Sequence, residues 1–157
     1  MSRRVDYYDD PDAPTANSLV PGGSALVTDD QGRILIQKRV DSGNWSLPGG
    51  TMEIGETLAG AVVRETREET GLDIEITGIL GIFTDPRHVI AYDDGEVRQE
   101  FNVTFTARPV GGSLFVSPES TDVRFAAATE IAGLRMHETV RLRIRTHLDA
   151  RRTPFIG

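Results

Sequence analysis

The apolar positions fall into stretches of two periods. Ser24 to Thr28 and Arg33 to Val40 read as strands flanking the turn-rich quartet Asp29-Asp30-Gln31-Gly32, which predicts a hairpin. A short strand at Trp45 to Leu47 is stopped by Pro48-Gly49-Gly50, which opens a loop. Leu58, Ala61, Val62 and Thr66 then recur at helical spacing. With Thr57 as N-cap and Gly71 just past the C-terminus, they predict a helix over about residues 58–70. Leu72 to Thr84 alternates imperfectly, consistent with one long strand or two pieces broken near Gly78 or Gly81. Val97 to Arg108, after the turn Asp93-Asp94-Gly95, places Phe101, Val103, Phe105 and Ala107 on one face. A strand at Val123 to Ala127 precedes an acidic-capped turn at Thr129-Glu130. The last segment is read as a helix because Met136, Val140, Ile144 and Leu148 repeat every four, although a strand-like alternation with Arg141, Arg143 and Arg145 is also present.

The polar start with Pro11 and Pro14 predicts a loosely attached arm over residues 1–19, ahead of a domain over 20–150 and a tail over 151–157. Pattern alone supports α+β or α/β. At 157 residues the length suits one domain, and 38% hydrophobic with 26% charged residues is ordinary for a globular chain. The absence of cysteine excludes disulfides, zinc-thiolate sites and thiol catalysis. No apolar segment follows the two N-terminal arginines and no apolar run approaches a membrane span, so the expectation is a cytoplasmic protein with no membrane partner. A formal net charge of −7 argues against duplex nucleic acid as a partner.

The candidate chemistry lies between Gly50 and Leu72, where glutamates stand at 53, 56, 65, 68 and 69. Residues three and four apart on a helix share a face, so Glu65, Glu68 and Glu69 project together, with Glu56 entering from the preceding turn. At about 100° per residue these carboxylates are expected about 90° from the apolar stripe, bordering the core, while Arg67 and Thr70 point more nearly away from it. Crowded carboxylates repel one another unless a cation sits between them, and hard divalent ions such as Mg²⁺ take oxygen ligands of this kind. A merely solvated acidic helix is the alternative.

This stretch resembles the Nudix box, G-x5-E-x7-R-E-U-x-E-E-x-G-U with U usually aliphatic. Gly50, Glu56, Arg64, Glu65, Glu68, Glu69, Gly71 and Leu72 meet it, and Thr66 takes a position where a bulkier aliphatic is commoner. A chance match of the seven invariant letters is on the order of 10⁻⁸ per window. The resemblance implies an α/β fold, a Nudix-type α/β/α sandwich with a mixed β-sheet between helices. It also implies attack of water on a pyrophosphate within a nucleoside diphosphate linked to another moiety, with Mg²⁺ as cofactor and Mn²⁺ as its alternative. Glu68 and Glu69 are then the expected metal ligands. Glu65 is a further ligand or the group that handles water. The Gly49 carbonyl joins them, Glu56 holds the arrangement or meets metal through water, and Arg64 orients the carboxylates.

Some relatives place an additional acid outside the box. Glu119 and Asp122, before the strand at Val123, are candidates, as is Glu100. Lys38 and Arg39 stand where they reach a phosphate, Trp45 is a stacking or packing residue, and His88, Tyr92 and His137 lie in segments suited to a substrate pocket. Asp85-Pro86-Arg87-His88 falls near where ADP-ribose-cleaving relatives carry a proline. The expected substrate is therefore ADP-ribose or another nucleoside diphosphate sugar. The alternatives are an (8-oxo-)dNTP diphosphatase of MutT type and a non-catalytic nucleotide sensor on the same scaffold. The sequence leaves the oligomeric state open; a symmetric homodimer with the arm of residues 1–19 exchanged between subunits is one assembly it allows.

Overall fold

A computed structural model describes residues 3–157. Its elements are β1 (Arg4–Tyr8), β2 (Ser18–Leu19), β3 (Gly22–Val27), β4 (Ile34–Arg39), β5 (Trp45–Ser46), β6 (Gly49–Thr51), α1 (Leu58–Thr70), β7 (Leu72–Phe83), β8 (His88–Tyr92), β9 (Val97–Gln99), β10 (Asn102–Gly112), β11 (Ser120–Ala126), α2 (Ala128–Ile131), α3 (Glu138–Leu148) and β12 (Phe155–Ile156). The strands form three sheets, ordered β12-β7-β10-β3-β6, β11-β4-β5 and β1-β8-β9-β2. The five-stranded sheet is mixed. β10 runs parallel to β3 and antiparallel to β7, and β6 is antiparallel to β3.

Strand β3 is buried along its whole length, and its side chains feed two cores on opposite faces. Leu26 joins Ile34, Ile36, Val140 and Ile144 on the face covered by α3. Ala25 and Val27 join Leu35, Val62 and Phe105 on the face covered by α1. Period-two alternation on the strands therefore builds the two helix-covered faces of an α/β/α sandwich.

Helix α1 spans the expected residues. Thr57 Oγ1 accepts from Gly60 N at 3.0 Å, and Gly71, with φ of 82°, donates its N–H to the Arg67 carbonyl. A side chain at Gly71 would overlap the Ser113 carbonyl oxygen, so both backbone angle and space require glycine there. Thr66 and Thr70 are fully buried, their hydroxyls donating to the Val62 and Thr66 carbonyls at 2.8 and 2.6 Å. Each back-bond satisfies the hydroxyl within the helix, which is why threonine packs at a site that usually takes an aliphatic residue.

The direction expected for the acidic side chains needs correction. Glu69 is buried and lies on the apolar stripe, because the seven residues separating it from Val62 make nearly two full turns. Thr70, one turn after Thr66, is buried for the same reason.

Other elements also depart from the pattern. The hairpin at Asp29 keeps a single bridge, Thr28 to Ile34, and β3 and β4 then separate into different sheets. Residues 49–51, expected as loop, pair with β3 as β6. β7 is one strand whose register against β10 shifts between Thr104 and Phe105 and between Thr106 and Ala107, and these irregularities break its alternation. Expected as one strand, 97–108 is interrupted at Glu100 and Phe101 between β9 and β10. Part of the arm is paired rather than loose, with β1 antiparallel to β8 and β2 parallel to β9. The tail likewise adds β12 to β7. No helix among the described residues is long and apolar enough to cross a membrane.

Candidate active site

The N-terminal approach to α1, the helix itself and strands β4 and β6 gather the acidic residues around one arginine. Arg64 donates from Nε to Glu56 Oε1 at 2.5 Å and from a terminal nitrogen to Glu56 Oε2 at 3.1 Å. Its other terminal nitrogen meets Glu65 at 3.0 Å and Glu68 at 3.2 Å. One guanidinium thus fixes three carboxylates through its planar set of donors. Glu56 also accepts from Glu53 N at 2.9 Å, so both of its oxygens are engaged, and the Arg64 hydrogen bond draws its pKa below the ordinary value. Glu53 itself is solvated and only 4.0 Å from Arg64.

Glu69 stands apart from this arrangement. It is 5% exposed, and its carboxylate accepts from Gln37 Nε2, while Gln37 Oε1 accepts from Ser120 Oγ at 3.0 Å. Burial pushes the Glu69 carboxyl up to about 8, against the Gln37 hydrogen bond and with the charge of Glu65 adding to the rise. Glu65 is raised by burial as well, with Arg64 opposing. Gly50 lets this pair lie against the loop, since a Cβ there would stand 2.5 Å from the Glu65 carboxyl carbon.

These donors fit a hard divalent cation. They are oxygen ligands on a rigid helix, including a half-buried and a buried carboxylate whose mutual repulsion a dication relieves. Glu65, Glu68, Glu69 and the Gly49 carbonyl are the candidates to hold it, although their carboxylates are not gathered as closely as the ligand-type atoms of Asp6, His88 and His137.

A cleft of ≈ 140 Å³ runs from Gly49 and Gly50 past Arg39 and Ser46 to His88, Glu100, His137 and Arg143. Arg39 lines it but is committed to Asp41 by bonds of 2.9 and 2.7 Å; that pairing holds its guanidinium more firmly protonated than usual. His88 is buried, its Nε2 3.1 Å from Asp6 Oδ1 and its ring stacked 4.7 Å from that of His137. Glu100 lies 3.5 Å from Arg143. Tyr92 packs under the Arg98 guanidinium. Asp6, His88 and His137 place ligand-type atoms within 4.8 Å of one another. Arg4 nevertheless holds both oxygens of Asp6 at 2.9 Å and so neutralises the one carboxylate, which leaves this cluster a hydrogen-bonded wall of the cleft rather than a cation site.

Box residues are therefore brought together at one end of the cleft, and His88, Glu100 and His137 at the other. Glu119 is exposed and is not among the residues lining the cleft. Its backbone carbonyl accepts from Val40 N, and among the described residues its carboxylate has no partner. Asp122 pairs with Lys38 across β11 and β4. Trp45 is buried, its ring under the Arg124 guanidinium, and it lines the cleft. Pro86 sits in the exposed turn between β7 and β8, where Arg87 pairs with Asp85 at 2.7 Å.

Sequence reasoning missed Gln37, Ser120, Arg4, Asp6 and Arg143. Gln37 carried a signal, a polar residue following three apolar ones in a strand. Arg4 and Asp6 carried none, because their role depends on β1 pairing with β8.

An acidic helix bound by one arginine, opening on a polar cleft within a mixed α/β fold, defines a hydrolase of phosphorus anhydrides. A NUDIX domain model matches residues 19–147, and the chain belongs to the NUDIX family. It is 33% identical over 138 residues to a MutT-like protein of Streptomyces ambofaciens, covering 87% of this chain and 80% of that one. It is 34% identical over 107 residues to an ADP-ribose pyrophosphatase of Methanocaldococcus jannaschii, covering 63% and 57%. A NUDIX hydrolase from Nitrosomonas europaea shares the fold with a TM-score of 0.69 at 20% identity, covering 88% of this chain and 94% of that one. Members of the family act on small nucleotides and generally use divalent metals.

Proposed function

We propose that the protein is a Mg²⁺-dependent pyrophosphohydrolase that cleaves a nucleoside diphosphate linked to another moiety, with ADP-ribose or a related nucleoside diphosphate sugar as substrate. One observation carries the reading. Arg64 aligns Glu56, Glu65 and Glu68 while Gln37 separately holds the buried Glu69, next to the Gly49–Gly50 end of a polar cleft. Bound Mg²⁺ supplies polarisation of the phosphoryl oxygens and a more acidic water.

The chain's own residues do the rest. Glu65, Glu68 and Glu69, with the Gly49 carbonyl, bind the ion, and Arg64 and Glu56 position them. Arg39, held flat by Asp41, presents its remaining donor edge to a phosphate. Glu119, whose carboxylate has no partner among the described residues, is the candidate to take a proton from the attacking water. The kinship to a MutT-like protein favours a second reading, an (8-oxo-)dNTP diphosphatase using the same box.

Hydrolysis of ADP-ribose, sugar nucleotides and 8-oxo-dGTP, with and without Mg²⁺, tests the proposal. Turnover is expected only with the metal, and Glu69→Gln is expected to lower kcat/KM at least about 10-fold, the low end of losses from outer-shell changes alone. Saturable nucleotide binding without hydrolysis would instead identify a sensor.

A further inference from the structure

Along the cleft, and at its His88 end in particular, the fold leaves polar atoms unmatched. Among the described residues four buried side-chain nitrogens or oxygens lack a hydrogen bond: Ser46 Oγ, His88 Nδ1, Arg124 Nε and Arg143 Nε. Three of those residues, Ser46, His88 and Arg143, line this cleft, and His88, Glu100 and Arg143 also border an adjoining cavity of ≈ 240 Å³. His88 and Arg143 are 4% and 6% exposed. A buried polar group left unpaired costs about 1–3 kcal/mol, and native folds keep such groups few, so three on one cleft are explained by something that binds there.

The charges around them decide what binds. Arg4 and Arg143 pair with carboxylates that line the cleft themselves, Asp6 and Glu100, whereas the partners of Arg39 and Arg98, Asp41 and Glu96, are not part of its lining. Beside His88 and Arg143 a further phosphate, which only accepts hydrogen bonds and carries negative charge, would meet the carboxylates of Asp6 and Glu100. A hydroxyl both donates and accepts. It gives its proton to the Glu100 carboxylate and takes one from Arg143 Nε, which satisfies both in one contact.

Resting on the pyrophosphohydrolase reading above, we infer that Glu100 and Arg143, with His88, form a subsite for the hydroxyls of an uncharged sugar carried beyond the scissile pyrophosphate. The residues come from three separated places, His88 at the start of β8, Glu100 in the break between β9 and β10, and Arg143 inside α3, and none belongs to the box. That interruption at Glu100 is functional in this view. It ends the ladder where the side chain is needed in the cleft, while Glu100 N still donates to the His88 carbonyl at 3.1 Å.

The test compares a sugar-bearing substrate with its sugar-free core on the full chain. With Mg²⁺, KM is measured for ADP-ribose and Ki for ADP as competitor, in wild type and in Glu100→Gln, a substitution that preserves shape and removes the charge. The ratio of Ki for ADP to KM for ADP-ribose is expected to fall at least 10-fold in the variant. Independently of any variant, calorimetry in EDTA is expected to show wild type binding ADP-ribose at least 10-fold more tightly than ADP. If wild type cleaves ADP-ribose yet the ratio is unchanged in Glu100→Gln, or the two ligands bind equally, the subsite is refuted and the enzymatic reading stands. Cleavage of triphosphates alone would overturn both the subsite and the nucleoside diphosphate sugar reading.

Discussion

Glu69 shows how far single residues can be read. Its letter marks it as a metal ligand by resemblance, but its burial and its contact with Gln37 follow from β4 lying against α1. Gln37 is itself 2% exposed and spans from Ser120 to Glu69, so it orients the carboxylate through a second hydrogen bond of its own. Replacing it with alanine removes the partner of both the Glu69 carboxylate and the Ser120 hydroxyl. The Mg²⁺ concentration for half-maximal rate is expected to rise about 10- to 100-fold, which a metal titration of initial rates measures. Asp6 gives a prediction on pH. Burial alone would raise its carboxyl, yet hydrogen bonds from His88 and Arg4 outweigh it and hold the group well below the usual carboxylate range. A carboxyl depressed in the folded state adds stability that is fully present above its unfolded value near 4 and is lost as pH falls toward the folded one. The melting-temperature difference between wild type and Asp6→Asn is therefore expected to be constant at neutral pH and to shrink below about pH 4.

Elements bounded by local chemistry were the most legible. Helix α1 needs only Thr57, the apolar repeat and Gly71, all contiguous, and its residues 58–70 follow. Thr57→Ala is expected to cost about 1 kcal/mol in urea unfolding through the lost cap. Gly71→Ala is expected to cost more, about 1–3 kcal/mol for the backbone strain before the overlap with Ser113 is added. Strands were read less well, because pairing comes from distant residues. β7 looked broken near Gly78 or Gly81 because two of the three shifts in its register against β10 fall there, and β6 looked like loop because only β3 makes it a strand. The hairpin at Asp29 failed for a related reason. Its turn closes locally, with Gly32 N donating to the Asp29 carbonyl, but β3 gains more by joining β10 and β6 than by continuing to pair with β4.

At the scale of the molecule, the chain's first strand has a larger part than its polar composition suggests. β1 covers the edge of β8 and delivers Arg4 and Asp6 to the far wall of the cleft. Deleting residues 1–10 is expected to lower the melting temperature by about 4–8 °C, equivalent to roughly 2 kcal/mol, as a thermal scan would show. KM for ADP-ribose is expected to rise while Mg²⁺ dependence is retained, since the box residues lie at the opposite end of the cleft. The sequence alone determined the family, the acidic helix with its caps, and the reaction class, because these depend on residues a few positions apart whose spacing maps directly onto one helix. Only the tertiary structure decided that Glu69 is buried against Gln37, that β1 walls the cleft, and that Glu100 and Arg143 meet. Those contacts join residues tens of positions apart, through sheet pairings and helix packing that no local period encodes.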